Sequence, residues 1–153
     1  MIQVLFVCLG NICRSPMAEA VFQKLVDEAG LTQLIQVDSA GIGNWHTGEM
    51  AHEGTRRVLA KHDIPYTGRA RQVSAADLQP KAYIIAMDAS NVADLQRRFG
   101  SHPHLHRLLD FASNSSTHDV PDPYYTGAFD LVYDLVDKGC RGLLKAIRQN
   151  EKV

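Results

Sequence analysis

Cys8 and Arg14 are separated by five residues, Leu9-Gly10-Asn11-Ile12-Cys13, with Ser15-Pro16 directly after. An apolar run, Ile2 to Val7, ends just before Cys8. The cysteine therefore closes a buried strand, and Ser15 (as N-cap) and Pro16 (as first helical residue) open a helix. A loop in that position suits a phosphate dianion, because N–H groups at a helix N-terminus point at the anion and the helix dipole adds partial positive charge. Arg14 brings a planar fork that grips two phosphate oxygens. The same field favours a thiolate at Cys8, which places a nucleophile inside an anion site. Ser15 is positioned to donate a hydrogen bond to that sulfur and help it leave. The expected chemistry is transfer of a phosphoryl group onto cysteine and then onto water.

An ester leaving group needs a proton from a general acid. Asp122 is the candidate, held between Pro121 and Pro123 and followed by Tyr124 and Tyr125. Asp119 competes with it but lacks those flanking prolines and tyrosines. Tyr124, Tyr125 and Trp45 are expected to wall a slot that holds an aromatic ring by stacking and apolar contact.

The pattern around these residues alternates strand and helix. Strands are read at Ile2–Val7, Leu34–Val37, Ala82–Ala86 and within Leu105–Leu109. The first helix carries Ala18, Val21, Phe22, Leu25 and Val26 on one face and stops near Gly30. A second runs from about His52 to His62, a third starts at Asp88 or Ser90 and ends near Gly100, and Ser74–Asp77 resembles a capping box. The last helix bears the stripe Phe129, Val132, Val136, Cys140, Leu143, Ile147, and residues 112–127 read as a polar loop. Such alternation predicts a three-layer α/β fold, a four-stranded parallel sheet flanked by helices, in a single domain over residues 1–153. Right-handed crossovers then bring the Cys8 loop, the Ser39–Trp45 loop, Asp88 and the 112–127 loop to the carboxyl ends of the strands, where ligands bind.

Composition narrows the setting. The chain has 153 residues, 45% hydrophobic and 22% charged, with formal net charge −1. That balance makes no global electrostatic case for nucleic acid or an anionic membrane. No apolar stretch is long enough for a bilayer, and the N-terminal run is too short for a signal peptide. Three cysteines do not suggest a secreted disulfide scaffold, so a cytoplasmic protein is expected.

The sequence resembles the low-molecular-weight protein tyrosine phosphatases. The matching segments are VCLGNICRSP (7–16), DSAG (38–41), Trp45, RARQ (69–72), MDASN (87–91) and DPYY (122–125), spread in family order along nearly the whole chain. The resemblance implies a flavodoxin-like sheet, Cys8 as nucleophile, Arg14 as phosphate clamp, Ser15 as thiolate stabiliser and Asp122 as acid and base. It assigns Leu9, Gly10, Asn11, Ile12 and Cys13 to the phosphate cradle and Trp45, Tyr124 and Tyr125 to the substrate wall. Asn11, Ser39 and Asp88 become loop supports. No metal or cofactor is implied, and the partners are tyrosine-phosphorylated proteins and phosphate-like oxyanions, with the chain a monomer or weak dimer.

Several positions refine this. Ile12 stands where family members that prefer phosphoarginine tend to carry threonine, and its aliphatic group favours an aromatic ring. Gly68 stands where many animal members have a histidine, so the loop contact expected from that side chain is missing. Ile42 and Thr126 also depart from common residues. Cys13 either packs under the loop or forms a reversible disulfide with Cys8 that shields it from overoxidation. Cys140 lies on a core stripe, Asp88 is also a plain helix cap, and Arg56, Arg57 and Lys61 form a solvated helix face. His102, His104 and His106 alternate on one strand face without a fourth ligand pattern. The competing functions are a protein arginine phosphatase, an arsenate reductase, which would need more relay cysteines, and a non-catalytic phosphate-binding module, which would not need Cys8, Arg14 and Asp122 together.

Overall fold

Strand β1 (Ile2–Cys8) is buried on both faces, and its pleat sorts residues between two apolar layers. Val4, Phe6 and Cys8 enter a core of 25 buried residues, whereas Leu5 and Val7 enter one of nine. The computed structural model describes residues 1–153, and its sheet has the order β2-β1-β3-β4. Strand β2 spans Ile35–Gly41, β3 Tyr83–Ala86 and β4 Leu105–Arg107, and all pairings are parallel.

Helix α1 (Arg14–Glu28), α2 (Glu53–Lys61) and α5 (Phe129–Glu151) supply the larger core through Phe22, Leu59, Leu143 and their neighbours. Helix α3 (Ala89–Phe99) covers the other face through Leu95. The α5 stripe is as its spacing requires, with Val132, Val136, Cys140, Leu143 and Ile147 fully buried, while Phe129 stacks on His52 at 5.0 Å. Chain order 2-1-3-4 reverses direction between β1 and β3, and the carboxyl end of β1 opens at that switch point.

Local readings are corrected at several ends. Ser15 is not the N-cap of α1: the cap position is Cys13, no side chain caps the helix, and Pro16 sits in the third helical position. The Ser15 hydroxyl is engaged with Cys8 and Asn11 instead, so the N–H groups of the first turn are left without a side-chain cap. Strand β2 starts one residue later than read and runs through the whole DSAG segment to Gly41. The stretch 112–127 is not entirely loop, because α4 (Pro123–Thr126) forms one turn capped by Asp122 and closed by Gly127 at φ 72°. Of the three alternating histidines, only His106 lies in β4; it meets Phe111, while His104 lies against Tyr83.

Candidate active site

The loop after β1 is held from behind and from the side. Ile42 and Gly43 donate backbone hydrogen bonds to the Cys8 and Leu9 carbonyls, at 2.9 and 3.0 Å. Gly41 lies so close that a Cβ there would stand 3.0 Å from Gly10 and 3.1 Å from Asn11. The loop turns at Asn11, whose φ of 60° is a conformation asparagine tolerates better than most residues.

The Asn11 side chain sets the polarity of everything behind the loop. Its Oδ1 accepts from the Arg71 N–H at 3.0 Å, and a backbone N–H can only donate. The amide N therefore faces the two hydroxyls, donating to Ser15 Oγ at 2.7 Å and Ser39 Oγ at 3.0 Å. Having accepted from the amide, Ser39 has its own proton to pass on, and Ser15 Oγ lies within reach of both the Cys8 sulfur and, at 3.5 Å, the Ala40 carbonyl. Ser39 donates to Glu19 Oε1 at 2.5 Å, and Ser15 stands 3.1 Å from Cys8 Sγ. Tyr66 adds a second donor to Glu19 Oε1, at 2.9 Å. Burial pushes the Glu19 carboxyl up from its ordinary value, and the bonds from Ser39 and Tyr66 resist that rise. Neither Glu19 nor Tyr66 stood out in the sequence; Gly68 was the only signal. A Cβ at position 68 would lie 2.3 Å from the Tyr66 hydroxyl, so the tyrosine occupies space that a side chain at 68 would need.

Arg14 is buried, only 2% exposed, at the start of α1. Its Nη1 donates to Asp88 Oδ2 at 2.5 Å and to the Val120 carbonyl at 3.0 Å. Nη2 reaches Asp122 Oδ2 only at 3.5 Å, and Nε has no partner. One side of the guanidinium is thus locked, while Nε is unpartnered and Nη2 has only its long Asp122 contact; an Nε–Nη2 edge is the geometry suited to two oxygens of one anion. Burial works against the Arg14 charge, but Cys8, Asp88 and Asp122 outweigh it and raise its pKa above the ordinary value. Asp88 is both cap and support: Oδ1 accepts from the Asn91 N–H of α3 at 2.8 Å while Oδ2 holds Arg14.

Asp122 Oδ1 caps α4 by accepting from the Tyr124 N–H at 3.0 Å, and the loop before it is pinned to the residue just after β3 by Val120 N–H donating to Met87 O at 2.9 Å. Asp119 is drawn elsewhere, accepting from the Ala89 N–H at 3.0 Å and from Arg107 at 3.3 Å. A cleft of about 250 Å³ joins Cys8, Arg14 and Asp122 to the loop residues Leu9, Gly10, Ile12 and Cys13 and to the walls Trp45, Tyr124 and Tyr125. Asn11, Ser15, Ser39 and Asp88 lie outside that lining and act on it from behind. His46 is a wall residue that sequence reasoning missed: its Nδ1 pairs with Glu49 at 3.0 Å and its ring abuts Gly10. Trp45, Tyr124 and Tyr125 are 66, 54 and 77% exposed, an apolar rim around a buried charged floor.

All three cysteines are free. Cys13 lines the cleft, and burial together with the neighbouring charge of Cys8 pushes its thiol up to about 12. Cys140 is fully buried, which raises its thiol well above the ordinary value. No cluster of three or more His, Cys, Asp or Glu side chains is placed to share a metal ion.

A thiol, a buried guanidinium and a carboxylate gathered at one loop are an arrangement chemically suited to phosphoryl transfer, here on a flavodoxin-like sheet. The chain belongs to the low molecular weight phosphotyrosine protein phosphatase family, whose model matches residues 3–153. It is 51% identical to the Bacillus subtilis low molecular weight protein-tyrosine-phosphatase YfkJ, over the full length of both. The YfkJ crystal structure superimposes with a TM-score of 0.94 over 98% of this chain and 96% of that one. The chain is also 45% identical to the PtpA phosphatase of Staphylococcus epidermidis, covering 96% of this chain and 94% of that one. A Drosophila arginine phosphatase structure is 32% identical with a TM-score of 0.87, covering 96 and 98% of the two chains.

Proposed function

We propose that this enzyme hydrolyses protein phosphotyrosine through a phosphocysteine intermediate. The observation that carries the reading is one cleft uniting Cys8 Sγ, the Nε–Nη2 edge of Arg14, Asp122 and an aromatic rim. In the first step the Cys8 thiolate attacks phosphorus, forming an S–P bond as the P–O bond to the tyrosine breaks. Asp122, in its acid form, gives its proton to the departing phenolate oxygen. In the second step water attacks phosphorus, Asp122 takes a water proton, and the S–P bond breaks with its electron pair returning to sulfur. Arg14 and the loop N–H groups hold the three non-bridging oxygens through both steps. The hydrogen bond from Ser15 stabilises the thiolate as nucleophile and as leaving group. The single domain acts without a metal, on phosphotyrosyl proteins, and binds phosphate or other oxyanions as inhibitors.

The Drosophila relative supports a second reading, hydrolysis of protein phosphoarginine. Ile12 favours the first: it lines the cleft from a small apolar cluster with Cys13 and Ala70, and its aliphatic face suits a ring better than a guanidinium. Arsenate reduction is disfavoured, because the only cysteine beyond the loop, Cys140, is fully buried.

Oxidation offers a control on the same site. Peroxide converts the Cys8 thiolate to a sulfenic acid, and attack by Cys13 sulfur expels water and leaves a Cys8–Cys13 disulfide that a thiol reductant reopens. Burial is the main cause of the raised Cys13 thiol and persists; neutralising Cys8 in the first step removes the second, the neighbouring negative charge. No helix is long and apolar enough to cross a membrane; we place the enzyme in the reducing cytoplasm.

The deciding assay runs p-nitrophenyl phosphate, a phosphotyrosine peptide and a phosphoarginine peptide with wild type, Cys8→Ser and Ile12→Thr in EDTA. Cys8-dependent turnover that favours phosphotyrosine, with Ile12→Thr moving activity toward phosphoarginine, is the expected result. Wild-type preference for phosphoarginine would overturn the substrate assignment while keeping the mechanism.

A further inference from the structure

Across a wall formed by Ile12, His46 and Tyr124, the catalytic cleft adjoins an open groove floored by Gly48–His52. Its permanent positive charges are Arg56, from the first turn of α2, and Arg69, from the RARQ string. Glu49 is the groove's only carboxylate, and it is turned to the His46 imidazole at 3.0 Å. Neither Arg56 nor Arg69 enters an ion pair, whereas their neighbours Arg57 and Arg71 do. The remaining polar wall is His52, whose Nδ1 is spent on the Gly54 N–H.

The groove is built rather than loose. Arg56 Nε donates to the Ala51 carbonyl at 2.9 Å, and Arg69 Nη1 to the Gly48 carbonyl at 3.4 Å, which ties both arginines to the floor. The floor is stitched to the RARQ segment by Gly48 N–H to Ala70 O at 2.8 Å and Ala70 N–H to Glu49 O at 2.9 Å. It is joined to the phosphate loop by His52 N–H donating to the Ile12 carbonyl at 2.7 Å. The α2 face that reads as solvated in sequence therefore divides: Arg57 pairs with Glu53 and Lys61 with Asp130, while Arg56 faces the groove.

We propose that this groove is a substrate subsite for an acidic side chain flanking the phosphotyrosine. The inference rests on the phosphotyrosine reading above. A peptide seated with its phosphotyrosine in the cleft crosses the shared wall with its neighbouring residues, and these meet two arginines that lack carboxylate partners. Arginine forks suit a carboxylate, and the chain's net charge of −1 means the attraction is local to this groove.

Steady-state kinetics on one phosphotyrosine peptide carrying glutamates on either flank, the same peptide with alanines, and p-nitrophenyl phosphate test the subsite. Wild type is expected to show a kcat/KM about 3–10-fold higher for the glutamate peptide at low salt, since exposed charge pairs are individually weak. That preference should shrink at high salt. Arg56→Gln/Arg69→Gln should abolish it while p-nitrophenyl phosphate turnover stays within about twofold, because that substrate does not reach the groove. Arg56→Glu/Arg69→Glu should invert it toward a lysine-flanked peptide. Absence of preference in wild type, persistence of preference in both double variants, or an equal loss on p-nitrophenyl phosphate overturns the subsite. Turnover of p-nitrophenyl phosphate without turnover of either peptide overturns the phosphotyrosine reading itself, and the subsite with it.

Discussion

The two sides of the phosphate loop are built on opposite principles. Behind it, Asn11, Ser15, Ser39, Glu19 and Tyr66 form an unbroken chain of hydrogen bonds, and the three loop-proximal members are at most 3% exposed. In front of it, Trp45, Tyr124 and Tyr125 are more than half exposed, and the tyrosines touch each other edge to face at 5.3 Å. The rear ties the loop to β2 and α1 through bonds of 2.5–3.1 Å, which holds the sulfur and the loop in place. The mouth is free to adjust to a substrate ring. Reaction chemistry needs the first property and recognition of a varied phosphoprotein needs the second.

The sharpest way to break the comparison is at the floor they share. Asp122→Ala should lower kcat on phenyl phosphate by about 10²–10³-fold and on p-nitrophenyl phosphate far less, since a good leaving group needs little proton donation. Equal losses on both substrates would remove Asp122 from the proton-donor role.

Damage to the rear should cost both activity and stability. Asn11→Ala leaves two hydroxyls and the Arg71 N–H without their partner and places alanine at φ 60°. A loss of about 2–4 kcal/mol follows from an unmade buried hydrogen bond plus left-handed strain, and with it a Tm drop of roughly 5–15 °C. The kcat should fall at least tenfold, with KM changed less. A variant as stable and active as wild type would show that the network is incidental.

Damage to the mouth should look different. Trp45→Ala is expected to raise KM for aryl phosphates about two- to fivefold and leave Tm within about 1 °C, because the indole is exposed. A large Tm loss would place Trp45 in the structural half of the molecule.

The smallest effect is a pH dependence. Burial raises the folded-state pKa of Glu19 above 4.5, its ordinary value, so the folded state holds that proton more tightly than the unfolded chain. The associated stability is fully present below about pH 4.5 and is lost as pH rises through the folded pKa. Denaturant titrations of wild type and Glu19→Gln should therefore show the variant gaining on wild type as pH climbs from 4 toward neutrality. A difference that is flat with pH would mean that Glu19 is not held in a proton-retaining site.

What could be read without coordinates follows from range of interaction. The β1 run, the α5 stripe and the Ser74–Asp77 capping box each depend on residues within a turn or a few positions, and each is found where its pattern places it. Helix α4 escaped notice because a single turn has no periodicity; its only local sign is Asp122 before Pro123. The rule that makes a serine before proline a helix cap uses only neighbouring residues. The Ser15 hydroxyl answers instead to Asn11 and Cys8, from the other side of the loop. Tyr66 and Glu19 are 47 residues apart and meet only because the chain after α2 returns beside α1.

The amino-acid sequence by itself determined the alternation of strand and helix, the cysteine-to-arginine loop at a strand's carboxyl end, and the separate aspartate between prolines with its tyrosines. These rest on backbone propensity, apolar spacing and side-chain chemistry, which are local. The tertiary structure alone decided which nitrogens of Arg14 are engaged, which way the Asn11 amide faces behind the loop, and that Arg56 and Arg69 share a groove beside the cleft. Those outcomes depend on partners brought together by the parallel crossovers, and a hydrogen bond or an unpaired charge has no meaning until both sides of it are in place.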